Sequence, residues 1–129
     1  MMRYLNKEEL TIASRFLFLS MTIIVIQQDI HRFQNSELKL KDAYIGVLKN
    51  MEEKALQERR QLRKVMLQKQ IKVMKLDRND SFSSYLFLCQ GREEKRNYFN
   101  PAIRQKVKAI FLELMQKSLL PDQDDSAGI

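Results

Sequence analysis

Residues 6–33, NKEELTIASRFLFLSMTIIVIQQDIHRF, decide the fold. Within them Ile12, Phe16, Leu19, Ile23, Ile26, Ile30 and Phe33 recur at alternating steps of four and three. That spacing is a heptad stripe about three heptads long, the pattern of a helix face packed along another helix. Leu10, Ala13, Leu17 and Ile24 fall on the neighbouring face, so the middle of the helix is apolar most of the way round. Such a helix has to be covered by the rest of the fold, by another chain or by lipid.

The start of this helix is well marked. Asn6 can accept from the first turn, Glu9 stands three residues on as in a capping box, and Leu5 and Leu10 have staple spacing. The helix is expected over residues 7–33. Gln34, Asn35 and Ser36 break the apolar pattern and offer new caps. A second helix is expected over residues 37–68, with Tyr44, Leu48, Met51, Ala55 and Leu62 at helical spacing and Gly46 as a mild weakness. Its other face is dense in Lys, Glu, Arg and Gln, where Glu52, Glu53 and Glu58 have basic neighbours within a turn. So narrow an apolar stripe calls for antiparallel packing on the first helix.

Beyond Gln70 the pattern changes. Ile71 and Val73 alternate with Lys72, Asp77–Asp80 is rich in turn formers, and Phe82, Tyr85, Leu86, Phe87, Leu88 and Cys89 crowd together. Aromatic and β-branched residues favour strands, whereas Asp, Asn and Ser favour turns. The expectation is a β-hairpin over 70–76 and 82–90; the alternative is continuation of the second helix to Leu76. Residues 92–97 are polar and expected to be exposed, as strand or loop. Asn100 followed by Pro101 reads as a cap and first helical residue. Ile103, Val107, Ile110, Phe111, Leu114 and Met115 then form the buried face of a helix ending near Leu119.

The expected fold is therefore mainly α, a long antiparallel helical pair with a C-terminal helix and a small β-hairpin; an all-α bundle is the alternative. The length, 129 residues, suits one domain over residues 1–120. Residues 121–129 form an acidic tail (Asp122, Asp124, Asp125) expected to be disordered. Cys89 is the only cysteine, which excludes an intrachain disulfide and suits a reducing, cytoplasmic setting. Glu8 and Glu9 precede the apolar run, unlike a signal peptide. The uncharged stretch from Phe16 to Gln28, closed by Arg15 and Asp29, is shorter than the roughly 20 residues of a bilayer span. Membrane insertion is not expected.

No cofactor-binding or metal-binding pattern is legible, and no catalytic residue is assigned. His31 is the only histidine, and nothing local pairs it with Cys89. One Cys and one His do not make a metal site. Charge is more informative. Arg59, Arg60, Arg63, Lys64, Lys69, Lys72, Lys75 and Arg78 stand against a single acid, Asp77, an excess equal to the +7 of the whole chain. Of these, Arg59, Arg60, Arg63, Lys64, Lys72, Lys75 and Arg78 are candidate nucleic-acid contacts, because clustered cations neutralise phosphates and release counterions. The bland reading is a solvated helix face, and no helix-turn-helix signature accompanies the cluster. Arg92, Lys95, Arg96, Tyr98 and Phe99 form a second basic–aromatic cluster, but Glu93 and Glu94 within it would repel phosphate.

The function expected from these residues is that of a small non-enzymatic interaction or regulatory module acting through helical surfaces. Its partner would be another protein or a second copy of itself, with Ile12, Phe16, Leu19, Ile23, Ile26 and Ile30 as the helix-packing or dimer interface. Nucleic-acid binding through residues 59–78 is the runner-up.

Overall fold

A computed structural model describes residues 4–119, in which three helices and a three-stranded antiparallel sheet follow one another as α1 (Lys7–Gln34), α2 (Lys41–Lys69), β1 (Ile71–Arg78), β2 (Phe82–Cys89), β3 (Arg92–Phe99) and α3 (Asn100–Leu119). The mainly α class with a small β element is what the periodicities predict. The acidic segment 121–129 lies outside the described residues.

The capping box at the start of α1 is complete: Glu9 N donates to Asn6 Oδ1 at 2.8 Å, and Asn6 N donates to Glu9 Oε1 at 2.9 Å. At the other end the caps differ from expectation. Asn35 and Ser36 close α1 instead of opening α2, donating to the carbonyls of His31 and Phe33. Lys41 reaches back to the carbonyls of Gln34 and Ser36. With these side chains committed backwards, α2 begins at Lys41 and not near Glu37, and Leu40 precedes it without a side-chain cap.

Two apolar clusters share α1. In the first, Phe18, Leu19, Ile23, Ile26 and Ile30 pack against Ile45, Leu48, Met51 and Ala55 of α2 and against Ile110 and Leu114 of α3. In the second, Ala13 meets Met66, Ile71, Tyr85, Phe87 and Cys89 under the sheet. Ile12 and Phe16 border this second cluster. The α1 stripe is therefore covered within the chain, with Leu19 and Ile26 fully buried. By length and composition α1 is also long and apolar enough to cross a membrane, a test that the core helix of a soluble protein passes as well.

The α2-to-β1 junction is a single residue. Gln70 adopts the left-handed conformation (φ 58°), its N–H returning to the carbonyls of Leu67 and Met66, and β1 starts at the next residue. That left-handed stop keeps α2 from continuing to Leu76. The sheet order is β1-β2-β3. Gln90 (φ 51°) and Gly91 (φ 80°) make the two-residue β2–β3 turn, whose doubled positive φ matches strand twist. The polar run 92–97, expected as strand or loop, is thereby part of a third strand, β3, which pairs along all of β2.

A candidate interaction surface

Alternation along β2 sorts the sheet into two faces. Ser83, Tyr85, Phe87 and Cys89 are buried towards the helices, and Phe82, Ser84, Leu86 and Leu88 point the other way. In register with these outer residues lie Lys72 beside Leu88 and Met74 beside Leu86 on β1. On the other flank Glu93 lies beside Leu88, Lys95 beside Leu86, Asn97 beside Ser84 and Phe99 beside Phe82. Among the described residues no helix covers this side. Met74, Phe82 and Phe99 are each about half exposed (49%, 47% and 51%), and the Phe82 and Phe99 rings lean together with centroids 5.6 Å apart.

An isolated antiparallel sheet normally keeps one face polar. Here the solvent face carries Met74, Phe82, Leu86, Leu88 and Phe99, rimmed by Lys72, Glu93 and Lys95. Met74, Leu86 and Leu88 form an apolar patch with a charged rim, the mark of an interaction site, and Phe82 and Phe99 lie beyond the polar row of Ser84 and Asn97. Its charges are placed in one row: Lys72, Leu88 and Glu93 are directly aligned across the three strands. Within one sheet Lys72 and Glu93 stand two strand spacings apart, roughly 10 Å, with Leu88 between them.

The sheet's inner side is fixed by a part-buried ion pair. Arg92 of β3 donates from Nη1 and Nη2 to Glu9 Oε1 and Oε2 at 2.8 and 2.7 Å. Cys89 Sγ lies 3.4 Å from Glu9 Oε2, donating to it, and burial pushes the thiol pKa up. Glu9 thus closes the capping box of α1 and anchors β3, and the Arg92 guanidinium holds its pKa down to about 2. Tyr98, also on the inner side, stands edge-on to Phe18 at 5.2 Å.

The basic stretch does not form one surface. Arg59 stacks over the Phe16 ring at 4.7 Å and donates to Ser20 Oγ at 2.8 Å, so it serves the α1–α2 contact. Arg60, Arg63 and Lys64 are exposed on α2. Lys72 belongs to the outer sheet face, whereas Lys75 and Arg78 line a crevice on the inner side together with Arg104 of α3. The second basic–aromatic cluster divides likewise: Arg92, Arg96 and Tyr98 alternate inward, and Lys95 and Phe99 outward. The outer-face residues Met74, Phe82, Leu86 and Leu88 escape sequence reasoning, because an unbroken apolar run does not say which alternate residues are left uncovered. Among the described residues no group of three or more His, Cys, Asp or Glu is arranged to hold a metal ion.

Fold and surface together define a helical scaffold that displays a small antiparallel sheet. The chain belongs to the YhjD protein family, whose model matches residues 4–119. It is 31% identical over 106 residues to "Uncharacterized protein YhjD" of Bacillus subtilis (strain 168), an alignment covering 82% of this chain and 88% of that relative. No solved structure matches the chain.

Proposed function

We propose that the protein is a non-enzymatic, cytoplasmic interaction module that associates with a second copy of itself through the outer face of its sheet. The observation that carries this reading is the row Lys72–Leu88–Glu93. A two-fold axis along β2 lays β1 of one copy over β3 of the other. Lys72 then meets the partner's Glu93, and Glu93 the partner's Lys72. In the same arrangement Leu88 and Leu86 meet their own equivalents, and Met74 lies on the stem of the partner's Lys95. This is the self-complementarity an isologous interface requires, in the aligned geometry of packed sheets.

The partner surface therefore moves from the α1 stripe, which is covered inside the chain, to the sheet. The nucleic-acid reading loses support from the dispersal of its cations, since Arg59 is engaged with Phe16 and Lys72 and Lys75 lie on opposite faces.

Charge exchange tests the proposal. Lys72→Glu and Glu93→Lys, each alone, should weaken the dimer by roughly tenfold, since each sets two like charges face to face. The double variant Lys72→Glu/Glu93→Lys should restore it. Sedimentation velocity reads the outcome. A parent that stays monomeric at several hundred micromolar overturns the proposal, as does a double variant no better than the singles. DNA retardation lost in Arg60→Gln/Arg63→Gln/Lys64→Gln, with a monomeric parent, would favour the nucleic-acid reading instead.

A further inference from the structure

The pairing of β1 with β2 contains an irregularity whose effect is to move one side chain. Lys75 is opposite Tyr85, and Arg78 is opposite Ser83, so three steps along β1 match two along β2. In a regular strand Lys75 and Arg78 would point to opposite faces, because their separation is odd. The extra residue of the bulge returns Arg78 to the inner side, beside Lys75. Bulges are found next to binding sites for this reason: they re-aim a side chain.

What the two cations face is a cavity of about 410 Å³ between α1, the sheet and the start of α3. Arg104, from the first turns of α3, is the third cation on its wall, and among the described residues no carboxylate lines it. Among the described residues none of Lys75, Arg78 and Arg104 is held in an ion pair. Tyr85, 6% exposed, also lines the cavity, with a hydroxyl whose pKa burial pushes up and the Arg78 charge draws down. Its apolar lining is Met21, Ile24 and Ile103. The wall beside Arg78 is rigid: Ser83 Oγ donates to Asn100 Oδ1 at 2.7 Å, and Asn100 Nδ2 donates to the carbonyls of Asn79 and Asp80. Asn100, expected from the sequence to cap α3 with its side chain, is used instead to fasten the β1–β2 turn to that helix.

We infer that this cavity is a binding site for a small phosphate monoester with an apolar body. Two guanidiniums present planar donor pairs that match phosphate oxygens, and the lysine adds a point charge. A phosphate monoester carries close to two negative charges at pH 7, and the dipole at the start of α3 favours that charge. The apolar part rests on Met21, Ile24 and Ile103. The volume lies within the range of roughly 300–1,000 Å³ typical of small-molecule sites, which admits a metabolite-sized ligand.

The test uses phenyl phosphate as probe, with inorganic phosphate and benzoate as comparisons, by calorimetric titration at fixed ionic strength. Phenyl phosphate should bind more tightly than inorganic phosphate, and benzoate least. Arg78→Gln and Arg104→Gln should each weaken phenyl phosphate by roughly tenfold or more, the scale of a lost charge-assisted hydrogen bond. Arg63→Gln, on α2 outside the cavity, should leave binding unchanged, as should Lys72→Glu on the opposite face of the sheet. The three arginines and Lys72 are exposed, so urea midpoints near the parent's identify these variants as folded. Absence of phenyl phosphate binding at millimolar concentration overturns the inference. Equal losses in Arg63→Gln and Arg104→Gln overturn it too, by marking the binding as diffuse. Benzoate binding as tightly as phenyl phosphate would exclude phosphate as the recognised group.

Discussion

Arg15 of α1 grips Glu58 of α2 through two parallel hydrogen bonds, Nε to Oε2 at 2.6 Å and Nη2 to Oε1 at 2.9 Å. The same Nη2 donates to Glu113 Oε2 of α3 at 2.6 Å, so one side chain ties all three helices together. Arg15 in turn holds the Glu113 pKa below the usual carboxylate range. The three side chains remain 27–40% exposed, which places the network between surface and buried pairs.

Replacing Arg15 by Met keeps much of the stem but removes the cation that Glu58 and Glu113 share, leaving Glu113 only its exposed pairing with Lys117 at 3.5 Å. The expected loss is about 1–2 kcal/mol, above the surface-pair range and below that of a fully buried pair. Urea unfolding measures it; an unchanged midpoint would show that water screens the network completely. Arg15→Met/Glu113→Gln should recover part of the loss by removing the repulsion.

At Ile26 and Ile23 the wager is on packing alone. Ile26 is fully buried between helices, and Ile26→Ala should cost about 2–5 kcal/mol. Ile23, 5% exposed, lies in the same cluster. A small domain holds only about 5–15 kcal/mol in total, so Ile23→Asp should abolish cooperative folding. Recovery of that variant with a sharp unfolding transition would contradict the packing described for α1.

Acid stability should report on Glu9. Its carboxyl is held down to about 2, chiefly by Arg92, against an ordinary 4.5. A depressed carboxylate contributes stability that is fully present above the unfolded value and lost as pH falls towards the folded one. The parent should therefore lose this contribution between about pH 4.5 and pH 2. Glu9→Gln, which can still accept from Asn6 N, should be less stable at pH 7 and converge on the parent as the pH drops through that window. A constant gap between the two unfolding free energies from pH 7 to pH 2 would remove the Arg92–Glu9 pair as its source.

The helices were legible because burial on one side of a helix imposes a repeat near 3.6, which Leu19, Ile23, Ile26 and Ile30 keep. β3 was less legible. Its inward residues include Arg92, Glu94 and Arg96, charged side chains satisfied by Glu9 and by one another, so no apolar alternation announces a strand. The Gln90–Gly91 dipeptide was the available signal, since glycine at the second of two turn residues suits a tight hairpin. The cavity was not legible at all. Lys75 and Arg78 were visible as charge, but their common orientation depends on a bulge, and Arg104 joins them only through the placement of α3. Glu9 shows the same difficulty: a capping role could be read locally, whereas its partner Arg92 lies 83 residues away.

The junction at Gln70 has one further consequence. Because no loop separates α2 from β1, the helix and the sheet are in fixed phase, and the angular position of Met66 determines which side of Ile71 meets α1. Adding one residue to α2 would turn that junction by about 100°, driving Ile71 out of the inner cluster and Lys72 towards it. The length of α2 is therefore fixed in two ways: a single added residue rotates the sheet, and a whole added turn slides it about 5.4 Å along α1, away from Ala13 and Glu9.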